Sequence, residues 1–188
     1  MACTSITAGR GLDCSRIAAG VKYVYFGVYD QFDPLPVVAS AEVTDIEMGS
    51  NTLYRYTVPR GSTTANETIT GDANTGSLFY TPTVSMVLNK LTKEDQNQVK
   101  LLAQTQLIVF CQLNAQLANG HDVIIAMGVT NAMMLNGGTA DSGANFGDRN
   151  GYQLEFTGME SDPFPMVEDY TTAPFDNAGF TMGTIVTS

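Results

Sequence analysis

Between Leu78 and Asn114 the spacing of apolar positions changes period twice. Leu78, Tyr80, Val84, Met86 and Leu88 fall on one parity, while Thr81, Thr83, Ser85 and Asn89 occupy the other. That alternation is the pattern of a strand with one buried face. At Leu91 the signal changes. Thr92 is placed to accept from the amides of a first helical turn, and Asp95, three residues on, to reach back to the Thr92 amide, as in a capping box. Val99, Leu102 and Ala103 then recur at helical spacing among Gln96, Asn97, Gln98 and Lys100. The pattern predicts one helix over about 92–104 with a narrow apolar stripe. Leu107 to Leu113 reads as strand again. No other stretch has a convincing helical period, so the chain is expected to be mainly β, an antiparallel β-sandwich or barrel with one flanking helix.

The remaining elements follow from the same reading. Val21 to Tyr29 is a strand with apolar residues on both faces, Tyr23, Tyr25 and Tyr29 on one and Val24, Phe26 and Val28 on the other. Such a strand is expected between the core and the helix, or with one face against another subunit. Val37 to Ile46 reads as a second strand and Thr52 to Val58 as a third. The threonine-rich stretch 63–70 is expected to complete a hairpin with the third strand, its second arm solvated or paired with a neighbouring molecule. Val123 to Met127 and Ala132 to Leu135 are further strands. Asn136 to Phe146, rich in glycine, is expected as a loop ordered only by contact. Tyr152, Leu154 and Phe156 point inward and Gln153, Glu155 and Thr157 outward in the clearest alternation of the chain.

Composition adds boundaries. The chain has 188 residues, enough for one domain with a sizeable core. The expected layout is an arm over 1–20, a β domain over 21–160 and an extended tail over 161–188, anchored by Phe164, Met166 and Phe175. Mean hydropathy near zero fits a folded protein, and no apolar run is long enough to span a membrane as a helix. The first residues lack a basic segment followed by an apolar run, so no secretory leader is expected. Cys3, Cys14 and Cys111 have no C-x-x-C spacing and are expected as reduced thiols, with a Cys3–Cys14 bridge as the alternative.

The charge is asymmetric. The first hundred residues hold 8 basic and 10 acidic side chains; the remainder hold 1 and 9. A surface of that sign repels phosphates, which argues against tight nucleic-acid or anionic-membrane binding.

Candidate chemistry is sparse. His121 sits in a turn sequence, and Cys111 shares a parity with Leu107, Val109 and Leu113 that predicts burial, so no thiol–imidazole pair is expected. One histidine and dispersed cysteines do not make a zinc site. Asp13, Asp45, Glu47, Asp141 and Asp148 lack calcium-loop spacing. The glycines at 137, 138, 143, 147 and 151 are followed by no lysine and feed no helix, so they form no phosphate loop. Glu160, Asp162, Glu168 and Asp169 lie in or beside a proline-broken segment, a poor platform for paired carboxylates. No catalytic, cofactor or metal residue is assigned, and no enzyme activity is expected.

Three segments carry a resemblance. They are Gly9-Arg10-Gly11-Leu12-Asp13-Cys14 with Ala19-Gly20-Val21-Lys22 and the aromatic strand behind it; Val87-Leu88-Asn89-Lys90-Leu91 running into the helix; and Asn136-Gly137-Gly138 through Phe146-Gly147-Asp148-Arg149-Asn150-Gly151-Tyr152 to Phe156-Thr157-Gly158-Met159-Glu160. Over about residues 1–160 the chain resembles tail-tube subunits of tailed bacteriophages. The resemblance implies a β-sandwich or barrel with a flanking helix, assembled into hexameric rings that stack into a tube. DNA would pass through the lumen without specific binding. It further implies a virion location after assembly in the host cytoplasm, with sheath, terminator or baseplate components as neighbours. A neck or ring connector built on the same fold, or a β-sandwich receptor-binding or decoration module, are the alternatives.

Overall fold

The computed structural model describes residues 8–11, 18–72 and 74–187. The strands are β1 (Val21–Val28), β2 (Val37–Ala39), β3 (Glu42–Glu47), β4 (Leu53–Thr57), β5 (Thr64–Asp72), β6 (Ser77–Asn89), β7 (Leu107–Gln116), β8 (Asp122–Met127), β9 (Met133–Asp141), β10 (Gly151–Gly158), β11 (Met166–Val167), β12 (Phe180–Thr181) and β13 (Ile185–Thr187). A 3-10 turn spans Tyr29–Gln31, and the helix α1 covers Lys93–Leu102.

The protein is mainly β, with its strands in one mixed sheet that does not close on itself. The main path runs β12-β3-β11-β8-β7-β9-β10-β6-β5, with β1 between β7 and β4 and β13 outside β4. β11 and β12 lie parallel to β3, and β13 parallel to β4. The sheet is therefore not purely antiparallel. The late strands lie beside strands they do not follow in sequence, so no hairpin fixes their direction.

The centre is the pairing of β1 with β7, continuous from Val28–Leu107 to Val21–Leu113 apart from one bulge. Both strands are buried on both faces. Val24, Phe26, Leu107, Val109 and Cys111 point into one core, where Phe26 packs on Phe156 of β10 with ring centroids 4.9 Å apart. Tyr25, Ile108 and Phe110 point into a second core with Val43, Ile46, Leu53 and Phe175. The two apolar faces of the first strand thus meet two internal cores, and the helix contributes only Leu102 and the flank of Val99 to the first.

The helix begins at its expected cap. Thr92 Oγ1 accepts from the Asp95 amide at 3.0 Å. The reciprocal bond differs from a standard capping box: the Asp95 carboxylate accepts from the Thr92 hydroxyl at 2.6 Å rather than from its amide. Ala103, expected on the apolar stripe, is exposed.

Four local expectations are corrected. The segment 37–46 is not one strand but a tight hairpin, because Ser40 and Ala41 both adopt left-handed backbone, φ 55° and 66°. Neither residue type announces such a turn. The third strand and the threonine-rich stretch do not pair; β4 lies against β1 and β13, and β5 pairs with β6. The first part of the glycine-rich stretch is strand: β9 continues to Asp141 along β10, with one extra residue at Asn136, and the loop begins only after it. Gly138 permits this, since a Cβ there would lie 2.9 Å from the Gln153 carbonyl oxygen. Finally, the expected tail contributes β11, β12 and β13 over residues 161–187. Phe175 is 5% exposed and sits edge-on to Tyr25 and Phe110 at 5.1 and 5.2 Å. Met166, expected as an anchor, is exposed, and its neighbour Val167 takes the buried position. The expected arm over 1–20 and the Cys3–Cys14 alternative fall largely outside the described residues.

Phe175→Ala separates an integrated segment from a loose tail. It is expected to cost about 3–5 kcal/mol, the range for emptying a buried aromatic site, read as a lower midpoint in urea denaturation. An unchanged midpoint would show that the segment does not hold the second core together.

Candidate functional site

The titratable groups singled out from the sequence are dispersed. Cys111 is fully buried, and burial pushes its thiol up to about 12, so little thiolate exists at neutral pH. His121 is not a free turn residue. Its Nδ1 lies 2.8 Å from Asp169 Oδ1, and its ring stacks on Tyr170 at 4.4 Å. Among the described residues no group of three or more His, Cys, Asp or Glu side chains could hold a metal ion. Asp13 is not described; Asp141 and Asp148 each cap their own loop.

The carboxylates near the C-terminal segment have separate partners. Buried Glu160 accepts from the amides of Thr130 and Asn131 at 3.2 and 3.0 Å. Asp162 accepts from the Ser161 hydroxyl, and Glu168 lies 3.4 Å from Asn177 Nδ2. Glu67 accepts from the Phe164 amide at 2.9 Å; its carboxyl is raised, first by burial. Glu67 and Glu160 line a cavity of about 350 Å³ together with Met127, Pro82 and Phe164.

A polar network crosses the centre of the sheet. The Tyr25 hydroxyl donates to Gln112 Oε1 at 2.7 Å, and Gln112 Nε2 donates to Asp122 Oδ2, also at 2.7 Å. Lys22 Nζ donates to the same oxygen at 2.6 Å. Burial raises the Asp122 carboxyl, but the donors Lys22, Gln112 and Gln116 outweigh it and hold the group below the usual carboxylate range. Lys22 is raised, first by its bond to Asp122. Lys22 and Asp122 are a hundred residues apart in the chain, and nothing local in the sequence marks them as partners.

The most distinctive surface is the block β9-β10-β6-β5. All three internal pairings are antiparallel. Among the described residues both borders are open: β5 pairs only with β6, and β9 meets β7 through Leu107–Met133 alone. One face carries Met86, Leu154 and Phe156 into the first core. The other faces solvent with Gln153 and Glu155 exposed and Thr157 half-buried, as their alternation indicated. Register extends that face across Ser85 and Thr64 on one side and Gly137 on the other. The four strands contain no lysine or arginine; their charges are Glu67, Asp72, Asp141 and Glu155. Register places the last three on the solvent face, beside a row of threonines.

Comparison with known proteins gives no match: no family model, no curated protein and no solved structure is significantly similar to this chain. The functional argument therefore rests on the surfaces themselves. Among the described residues, no helix is long and apolar enough to cross a membrane.

The network has a pH signature. A lowered Asp122 contributes stability above the ordinary carboxylate value of about 3.9, lost as pH falls through its lower folded value; a raised Lys22 contributes below about 10.4, lost as pH rises through its higher one. Asp122→Ala is expected to cost about 1–3 kcal/mol at pH 7, chiefly because the buried Gln112 amide loses its acceptor. The half-exposed Lys22 adds little, being screened by water. The acid limb of stability below pH 4 should flatten in the variant. Equal losses in urea titrations at pH 7 and pH 3 would remove Asp122 from that limb.

Proposed function

We propose that this chain is a virion structural protein, a tail-tube subunit of β-sandwich type whose copies form hexameric rings stacked into a DNA-conducting tube. The observation that carries the reading is the four-stranded block with two open borders and a solvent face whose strands carry carboxylates and hydroxyls but no base, Arg149 of the adjoining loop reaching it only at Gln153. A strand border left unpaired exposes a row of amides and carbonyls, and pairing with another copy satisfies them. With an even number of alternating strands, β5 and β9 run in opposite directions. A β5 border of one copy can therefore pair antiparallel with a β9 border of the next. Repeated around an axis, that heterologous contact closes a ring. The core face then points outward into each subunit, and Gln153, Glu155 and Thr157 line the bore. Carboxylates and hydroxyls there repel or ignore phosphates, so DNA slides rather than binds.

The function is geometric and electrostatic, with no catalytic residue in it. The subunit would assemble in the host cytoplasm and reside in the virion tail, where a terminator, sheath or baseplate component would meet the end or outside of the tube. The same block suits a neck or ring connector of the tail. A receptor-binding or decoration module is favoured by a different feature, the cavity beside Glu67 and Glu160, and would be a stable monomer.

Electron microscopy and light scattering of the concentrated protein test this. Rings or tubes of uniform diameter are expected; a monomer at every concentration would overturn the assembly. Glu155→Lys is expected to leave assembly intact while raising DNA retention at low salt at least tenfold, an effect that fades as salt rises. DNA affinity unchanged in assembled Glu155→Lys would place that side chain away from the bore.

A further inference from the structure

The loop joining β9 to β10 is built as a support. The Asp148 carboxylate accepts from the amides of Ala144 and Asn145 at 3.0 and 2.7 Å, and Asp141 accepts from the Gly143 amide at 2.9 Å. Asn150 ties the loop to the start of the helix, its carbonyl accepting from the Lys90 amide and its side chain from the Leu91 amide. At the tip, Phe146 stands fully exposed. An aromatic ring held in water on an ordered loop costs stability unless something covers it.

An apolar groove of about 330 Å³ lies toward the other end of the sheet. It runs between α1 and the pair β1–β4 and is lined by Phe26, Val28, Tyr54, Tyr56, Leu101 and Leu102. Tyr54 and Leu101 are 44% and 55% exposed there. The register fixes the two ends. Gly151 lies beside Asn89 and Asp141 at the loop end, whereas Val28, Leu107, Met133 and Gly158 align at the groove end. The chain passes from the loop end to the groove end through the helix Lys93–Leu102 and residues 103–106. The eight residues of β10 set these ends roughly 23 Å apart along the strands.

We propose that Phe146 of one copy seats in this groove of a second copy placed end to end with it, making the axial contact between successive rings. Knob and groove lie at opposite ends of one chain, so a translation along the strands brings them together, and the contact repeats without closing. The signs agree: the loop from Asp141 to Asn150 carries two carboxylates against one base, Arg149, which is bonded to Gln153, and Lys100, beside Leu101, is the one charge in the second half of the helix. The area decides the context. One phenylalanine buries about 150–250 Å², several-fold short of the roughly 1,200–2,000 Å² of a stable interface. Isolated copies therefore do not pair through it. Copies already joined in a ring present the knobs together, and each docking after the first is intramolecular. The proposal rests on the ring reading above and names its stacking contact.

The test uses the whole chain with a photoreactive benzoyl-phenylalanine at position 146, alongside Phe146→Ser and Leu101→Lys. Both substituted side chains are exposed, so the fold should survive either change. Cross-links from position 146 are expected in residues 54–56 or 98–105 of another copy, and both variants should leave rings while reducing tube length at least tenfold. Variants that stack as the wild type does, or cross-links that map elsewhere, overturn the axial contact and leave the ring reading intact. A wild-type chain that forms no rings overturns both.

Discussion

The pairing of β1 with β7 is the constraint from which the rest of the structure follows. Each strand must bury side chains on both faces, since valines, phenylalanines and tyrosines occupy both parities. One layer cannot satisfy that demand. The chain covers one face with β6 and β10 and the other with the β2–β3 hairpin and the C-terminal segment, giving two cores back to back. Burying a single aromatic or aliphatic side chain contributes about 1.5–3 kcal/mol, so leaving either face open would offset much of a domain's net stability. This is why the last part of the chain is drawn in despite its prolines.

The same arrangement leaves the borders exposed. β5 lies far from the doubly buried centre and β9 leaves it after Met133, and apart from the exposed Ile69 and Met134 their solvent-facing side chains are threonine, glycine, asparagine and aspartate. Such strands gain little from internal packing, and their unpaired amides remain available to another chain. The absence of lysine along the block matters here, because charged lysines are a common device for blocking edge pairing. The stable centre and the open borders are two consequences of one distribution of apolar residues. Charge follows the same division: carboxylates occupy the solvent face of the block, where they cost nothing in desolvation, while Asp122 at the centre is held by three donors.

Several elements were legible in the chain itself. The strand, helix and strand of 78–114 appear where the period changes, and Thr92 caps the helix as its position indicates. The outward parity of Gln153, Glu155 and Thr157 holds because a strand's period leaves no other choice once Leu154 and Phe156 are buried. Other features carried no local signal. Ser40 and Ala41 turn the chain in a conformation usually left to glycine or asparagine, and only the pairing of β2 with β3 imposes it. The glycine pair in β9 looked like a loop because glycine is read as a breaker; beside β10, Gly138 is what lets the backbones approach. His121 met Asp169 and Tyr170 only because the C-terminal segment returned to the β7–β8 turn.

By itself, then, the sequence determined the periods, the cap, the mainly β character and the sign of the charge, since each depends on neighbours a few residues apart. The tertiary structure alone decided which strands pair, which borders stay open and which ends of the molecule carry the exposed Phe146 and the apolar groove. Those outcomes depend on contacts between residues tens of positions apart. The free energy of such contacts exists only once both faces of the central pair are covered.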